Sequence, residues 1–78
     1  MLELFGTRSC PYTQELRDSL DLKGRDFVEY DVETDPDALG RMQALTNHQR
    51  TVPVLVEDGK VIEVGWQGHG CIVGFPRE

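Results

Sequence analysis

The sequence predicts an α/β domain in which helices pack on one four-stranded mixed sheet, in the order β-α-β-α-β-β, followed by a short third helix. Two short apolar segments, residues 2–5 and 27–32, flank a stretch with helical periodicity, and strands joined in this way form a parallel pair with a right-handed crossover. Asp58-Gly59 between two further apolar segments predicts an antiparallel hairpin. A chain this short buries only about 60% of its unfolded surface and cannot support two cores. Residues 1–78 are therefore interpreted as a single domain.

The first strand, residues 2–5, is followed by a loop of small and polar residues at positions 6–9. From Pro11 onwards the apolar residues recur every fourth position and therefore share one face of a helix. These residues are Tyr12, Leu16 and Leu20. Gly24 ends this helix, because glycine readily adopts the left-handed conformation of a helix stop. The second strand then covers residues 27–32.

The second helix begins at residues 35–37, Asp-Pro-Asp. Aspartate accepts hydrogen bonds from exposed N–H groups, proline already has a helical φ, and negative charge suits the positive end of a helix. The helix runs through Leu45, and Asn47 is a left-handed stop. TVPVLV, residues 51–56, then forms a strand that pairs through the Asp-Gly turn with residues 61–64.

The C-terminal segment from Gly65 contains four glycines and a proline, which leave room for only a turn or two of helix between Gly68 and Val73. Such a short helix would leave one face of the sheet thinly covered by Ile72, Val73 and Phe75. Exposed apolar patches tend to find partners, so a homodimer is one expectation.

The composition excludes several classes of protein. The net charge of -6 and the scattered basic residues disfavour nucleic acid as a partner. No apolar run approaches a membrane span, and Met1 leads directly into a strand without signal-peptide features, so we expect a cytoplasmic protein that does not enter a membrane. The acidic segment YDVETDPDAL reads as a solvated loop and helix start, and the two cysteines match no zinc spacing, so no metal site is expected.

Cys10, in the segment SCPYTQE, is the strongest candidate for chemistry. Pro11 is tolerated at the first position of a helix, which makes Cys10 the N-cap residue. Its sulfur then faces the N–H groups of Tyr12 and Thr13 and the positive end of the helix dipole. This setting stabilises a thiolate and lowers the pKa of Cys10 below the free value of about 8.5. We therefore interpret Cys10 as a reactive thiol rather than an inert buried cysteine.

The order of elements and these residues together resemble the glutaredoxin branch of the thioredoxin superfamily over nearly the whole chain. CPYT at residues 10–13 resembles the CPYC active site of that family, with Thr13 in place of the second cysteine. RTVP at residues 50–53 resembles the TVP segment, in which the proline peptide bond is cis and the preceding residue binds the substrate's cysteine through its backbone. VGW at residues 64–66 resembles a glycine turn, with a Gly-aromatic pair like that of NrdH-type redoxins.

The segments PYT, QRTVPVLV and GWQG are similar to those of the small Uxx-star group, some of whose members carry selenocysteine at the position of Cys10. The chain thus resembles a cysteine-containing homologue of a selenoprotein. The resemblance implies a thioredoxin-like fold with Cys10 and Thr13 at the catalytic centre. It also implies a substrate site formed by Arg8, Pro11, Tyr12, Arg50, Thr51, Val52, Pro53, Gly65 and Trp66.

The resemblance implies no cofactor, but it suggests glutathione as a co-substrate. Two positions depart from the glutaredoxin pattern. Thr7 replaces a lysine that often precedes the active cysteine, and Gly68 and His69 replace the aspartates that hold the glutathione amine. Arg50 is the best candidate for binding a substrate carboxylate. Trp66 is large enough to cap the core as well as to form a wall of the groove, while both histidines are expected to be exposed.

Thr13 cannot resolve a mixed disulfide, so the second thiol must come from elsewhere. One source is a low-molecular-weight thiol such as glutathione, which gives a monothiol cycle. The other is Cys71, as a possible resolving thiol, provided that its Cα lies within about 7 Å of that of Cys10. We favour the interpretation in which Cys71 packs under Trp66 and Ile72.

The sequence thus predicts a monothiol oxidoreductase that uses Cys10 on protein disulfides or on glutathione mixed disulfides. An alternative is a carrier module in which Cys10 ligates a metal or an iron–sulfur cluster between two chains, together with an external thiol. A third is a redox-silent scaffold or delivery protein.

Overall fold

The N-terminal half forms the β-α-β unit that the sequence predicts. The structure is a computed structural model, and it describes residues 1–73. Strand β1 (Leu2–Gly6) leads through a short loop into helix α1 (Pro11–Leu22), and strand β2 (Val28–Asp31) returns parallel to β1. Gly24 follows the helix with φ +69°, a conformation that glycine adopts without steric cost.

Helix α2 (Pro36–Leu45) begins and ends as predicted. Its N-cap is Asp35, whose carboxylate accepts a hydrogen bond from the N–H of Ala38 at 3.1 Å. After the helix, Asn47 and His48 are both left-handed, with φ of 59° and 69°, and turn the chain back towards the sheet. Asparagine tolerates this region better than most residues, which is why it marks the stop in the sequence.

The TVPVLV segment does not form one continuous strand. It divides at Pro53 into β3 (Thr51–Val52) and β4 (Val54–Glu57), because proline has no N–H to continue a ladder. Strand β4 pairs antiparallel with β1 and, through the predicted Asp-Gly turn, with β5 (Lys60–Val64). The resulting four-stranded mixed sheet has the order β2-β1-β4-β5.

The prediction of a third helix between Gly68 and Val73 is wrong. This segment contains a turn and strand β6 (Cys71–Ile72), which pairs antiparallel with β3 as a separate two-stranded sheet. Two physical reasons favour a strand here. Gly65 and Gly68 adopt φ of 84° and 81°, which no right-handed helix uses. The β-branched side chains of Ile72 and Val73 suit extended backbone. Gly74 to Glu78, including Phe75 of the proposed dimer surface, lie outside the described residues.

The core lies on both faces of the sheet. Strand β1 is central and buried along its whole length, and its side chains alternate between two clusters. On the α1 face the buried residues are Leu2, Leu4, Leu16, Leu20 and Leu55. On the α2 face they are Phe5, Cys10, Val32, Ala38, Met42, Val52, Val54, Val56 and Val73. Cys10 therefore belongs to the α2 side although it caps α1. Neither helix of the described chain has the length and apolar character needed to span a membrane.

Glu3 is an acidic residue buried on the central strand, and its carboxylate has two side-chain partners. Its carboxylate accepts hydrogen bonds from Arg41 at 2.9 Å and from the Tyr30 hydroxyl at 3.1 Å. The Arg41 guanidinium also lies 5.4 Å from the ring centroids of both Phe5 and Tyr30, which adds cation–π attraction. The hydrogen bond from Arg41 has the largest effect on the pKa of Glu3, and together with the smaller effect of Tyr30 it outweighs burial and lowers this pKa below its ordinary value.

We predict that Glu3→Gln lowers the free energy of unfolding at neutral pH and that the deficit shrinks under acid. A carboxyl whose pKa is lowered by folding stabilises the protein above its unfolded pKa of about 4.3, and this contribution disappears as pH falls through the folded pKa. Urea denaturation at a series of pH values measures the difference. Glu33→Gln is the matched control, because the Glu33 side chain makes no hydrogen bond or ion pair within residues 1–73. A deficit that did not change with pH would contradict the assignment.

Candidate active site

Cys10 occupies the N-cap of α1, as predicted. Its backbone is extended, with φ -86° and ψ 116°, and its carbonyl accepts a hydrogen bond from the N–H of Gln14 at 3.3 Å. The side chain, however, forms no capping hydrogen bond, because its sulfur is bonded to that of Cys71. Only 1% of Cys10 is exposed. The structure thus holds the oxidised form of the site, in which the predicted contact between a thiolate and the helix amides is not made.

Cys71 is joined to Cys10 by a disulfide that links positions 61 residues apart, with a Cα–Cα distance of 6.0 Å. The interpretation in which Cys71 only packs as a small apolar residue is therefore wrong. Strand pairing explains the approach of the two cysteines. In the register of β3 and β6, Cys71 lies directly opposite Val52. Because β6 replaces the predicted helix, this pairing holds Cys71 beside the start of α1.

The Val52-Pro53 segment lies at the same place. The peptide bond between these residues is cis, as the resemblance implies, and both side chains are buried. Thr51 pairs with Ile72 and Val52 pairs with Cys71. The N–H of Val73 extends this pairing by donating to the carbonyl of Arg50 at 2.9 Å.

A tight turn connects β5 to β6 and closes one side of the site. The backbones of Trp66 and His69 exchange two hydrogen bonds, of 2.7 and 2.9 Å. Gly65 opens the turn with φ +84°, and its N–H donates to the carbonyl of Pro53 at 2.6 Å. A Cβ atom at Gly65 would lie 2.7 Å from the carbonyl oxygen of His69. Both the backbone conformation and the available space therefore require glycine here.

The first turns of α1 hold this turn in place through two side-chain contacts. Tyr12 stacks on His69, with ring centroids 5.2 Å apart and planes inclined by 14°. The indole N–H of Trp66 donates to the carboxylate of Glu15 at 3.1 Å. The remainder of Trp66 packs against the leucine cluster on the α1 face, as expected for a residue that caps the core. Nothing in the sequence marks Glu15 or this contact of His69, because each depends on the tertiary placement of a turn.

Thr13 replaces the second cysteine of the CPYC motif and is completely buried. Its hydroxyl group has no hydrogen-bond partner within the described part of the chain. The side chain packs against Gly6, where an added Cβ would overlap with Thr13. Gly6 therefore allows α1 to approach β1 closely at the base of the site, a role that glycine at the end of a strand can indicate.

The remaining predicted site residues are exposed. Pro11 is the first residue of α1. Arg8 lines a cavity of about 440 Å³ together with Asp31 and the ion pair between Arg17 and Glu29. The side chain of Arg50 projects from the chain just before β3. Neither Arg8 nor Arg50 forms an ion pair within residues 1–73. The described residues contain no group of three or more side chains that could hold a metal ion.

Known proteins are similar to most of this chain. Residues 2–62 match the Glutaredoxin family model. A glutaredoxin-like 8.6 kDa protein of Clostridium pasteurianum, described as uncharacterized and located in the rubredoxin operon, is 32% identical over 62 residues, which cover 80% of this chain and 81% of the relative.

Crystal structures of similar fold include two at 25% identity. A mutant of the thioredoxin-like protein BC3987 superposes with a TM-score of 0.77 at 25% identity, over 86% of this chain and 88% of the other. A complex of buckwheat glutaredoxin with glutathione superposes with a TM-score of 0.68 at 25% identity, over 82% of this chain and 59% of the other. The fold is therefore thioredoxin-like, and the family match supports a thiol-disulfide oxidoreductase-like role. The chain belongs to the glutaredoxin family.

Proposed function

We propose that this protein is a dithiol oxidoreductase in which Cys10 attacks a substrate disulfide and Cys71 resolves the product. The disulfide between these residues is the observation that supports the proposal. It favours internal resolution over the monothiol cycle, because the second thiol that Thr13 cannot provide is supplied by β6. The resolving cysteine is thus separated from the CPYT motif in sequence but adjacent to it in space.

The cycle consists of four thiol–disulfide exchanges, two that reduce the substrate and two that regenerate the protein thiols. The thiolate of Cys10 attacks one sulfur of the substrate disulfide, forming a mixed disulfide and releasing the other substrate sulfur as a thiolate. The thiolate of Cys71 then attacks the Cys10 sulfur, which forms the Cys10–Cys71 bond and releases the second substrate thiol. Two thiols of a reductant finally reduce this bond and become a disulfide themselves.

The location of each cysteine supports this order. Cys10 caps a helix of 12 residues, where free N–H groups and the helix dipole favour a thiolate. Cys71 lies on a two-residue strand and has no helix start behind it. Cys10 is therefore assigned as the attacking thiol and as the better leaving group when the disulfide is reduced.

Protein disulfides and glutathione mixed disulfides are the proposed substrates. Arg8 and Arg50 provide exposed cations for a substrate carboxylate. The similarity to a glutaredoxin solved with glutathione supports a tripeptide thiol as one candidate. The reducing cytoplasm is the compartment in which we expect this cycle to turn over. Neither the metal alternative nor the homodimer gains support from residues 1–73.

The first test follows the products of reaction with glutathione disulfide. The reduced wild type should end as an internal disulfide without an adduct, whereas Cys71→Ser should accumulate one glutathione on Cys10. Intact-protein mass spectrometry distinguishes these products, and Cys10→Ser is the control for reaction at Cys71 alone. A persistent adduct on the wild type would favour the monothiol cycle. Reaction of Cys71→Ser no faster than that of free cysteine would remove the oxidoreductase assignment.

The buried hydroxyl of Thr13 leads to a second prediction. A buried donor without a partner is costly, and Thr13 lies in the first turn of the helix that Cys10 caps. We infer that a thiolate formed at Cys10 on reduction accepts a hydrogen bond from this hydroxyl. In the Cys71→Ser background, Thr13→Val should therefore raise the pKa of Cys10 and slow its alkylation at neutral pH by about tenfold. The pH dependence of alkylation by iodoacetamide measures both effects. Thr13→Ser, which retains the hydroxyl, is the matched control, and equal profiles for the valine and serine variants would refute this role.

A further inference from the structure

Strand β6 makes the two contacts that a substrate is expected to make. Its sulfur is bonded to Cys10, and its backbone pairs with β3 at Val52, directly beside that bond. We propose that β6 is an internal pseudo-substrate, which leaves β3 when the disulfide is reduced and returns to displace the product. This inference rests on the proposed function, since it assumes that Cys10 reacts with external disulfides.

A substrate and β6 cannot occupy β3 together. The strand contains only Thr51 and Val52, and in the described chain its pairing groups are used by Cys71 and Ile72. A cysteine segment from another molecule that adds as a strand needs the same row of N–H and C=O groups. The pairing in the oxidised protein therefore blocks the substrate position.

The strand pairing of β6 is short. Within residues 1–73, two residue pairs and the hydrogen bond from Val73 to Arg50 join it to β3; Val73 is buried in the core, whereas Ile72 is half exposed. A ladder this short is marginal by itself, so reduction should allow it to open. The preceding turn remains attached to α1 through Tyr12 and Trp66. These contacts keep Cys71 at a high effective concentration for its return.

Gly70 shows which substrates would fit in place of β6. A Cβ atom at this position would lie 2.7 Å from the Thr51 methyl group and 2.8 Å from the Val52 carbonyl oxygen. The backbone of Gly70 is not left-handed, so its requirement for glycine comes from close approach rather than from conformation. A substrate that pairs in the same way should therefore have an unbranched carbon immediately before the amide of its cysteine.

Two kinds of thiol satisfy this condition. One is a protein segment with glycine before cysteine, as in β6 itself. The other is glutathione, because its γ-glutamyl linkage places a CH₂ group where an ordinary residue has a branched Cα. The α-glutamyl isomer of glutathione has the same atoms but a branched carbon at this point, and it should be a poor substrate.

The test of selectivity uses disulfides activated with thionitrobenzoate and the Cys71→Ser protein. Cys10 should attack the Gly-Cys disulfide about tenfold faster than the Ala-Cys disulfide, as expected for a steric conflict at one close contact. It should likewise attack the glutathione disulfide about tenfold faster than that of the α-glutamyl isomer. If only the glutathione pair shows a preference, the substrate is a small thiol. If the Gly-Cys pair shows the same preference, protein segments with glycine before cysteine are substrates as well. Equal rates within each pair would overturn the proposal. Rates no faster than those of free cysteine would instead indicate that the proposed function is wrong.

The pseudo-substrate role of β6 is tested by displacing it. Gly70→Ala in the Cys71→Ser protein introduces the conflict with Thr51 and Val52, so it should speed attack on the Gly-Cys probe several-fold. Gly40→Ala is the matched control, since a Cβ at Gly40 meets no atom within 4 Å.

Amide hydrogen exchange in the wild type gives a readout independent of activity. The Val73 amide should exchange about tenfold faster after reduction, as loss of one net hydrogen bond allows, while β1 amides remain protected. Unchanged exchange of Val73, or equal rates for the two alanine variants, would refute the role.

Discussion

The register of β3 and β6, which sets Cys71 opposite Val52, is the constraint on which the site depends. It brings the two cysteines together, and it places Cys71, the proposed resolving thiol, beside the CPYT motif. Most of the surrounding features serve this register. The turn at Gly65, the Tyr12–His69 stack and the Trp66–Glu15 hydrogen bond all fix the path of the chain between β5 and β6. The close approach at Gly70 fixes the distance between the two strands.

The sheet and both long helices could be predicted from the sequence because their signals are local. Apolar periodicity, the Asp35 cap, Gly24 and the Asp-Gly turn each act within a few residues, and the structure confirms every one. Cys10 could be placed at the start of α1 for the same reason. Its position needs only the following proline and the preceding strand.

The C-terminal part of the site could not be predicted in this way. Residues 65–73 carry weak preferences, because glycine disfavours both helix and strand, and their conformation is decided by what they pair with. The partner, β3, lies about twenty residues away along the chain and consists of two residues whose pairing is not apparent from their own pattern. The expected helix between Gly68 and Val73 rested only on the room that four glycines and a proline leave for a turn or two. Gly70 is a local signal that another part of the backbone lies close by. Only the position of β3 shows that this part is Thr51 and Val52.

The disulfide also has a consequence for the stability of the whole domain. It closes a loop that contains most of the described chain, since its cysteines are 61 residues apart. In the chain-entropy view, a cross-link of this span restricts the unfolded ensemble by about 4 kcal/mol, a large fraction of what holds a small domain together. Oxidation would therefore raise the free energy of unfolding of the whole domain and its resistance to heat and proteases, and each reduction would lower both. In such a small protein, the disulfide that we propose to form in each catalytic cycle is also a cross-link that stabilises the fold.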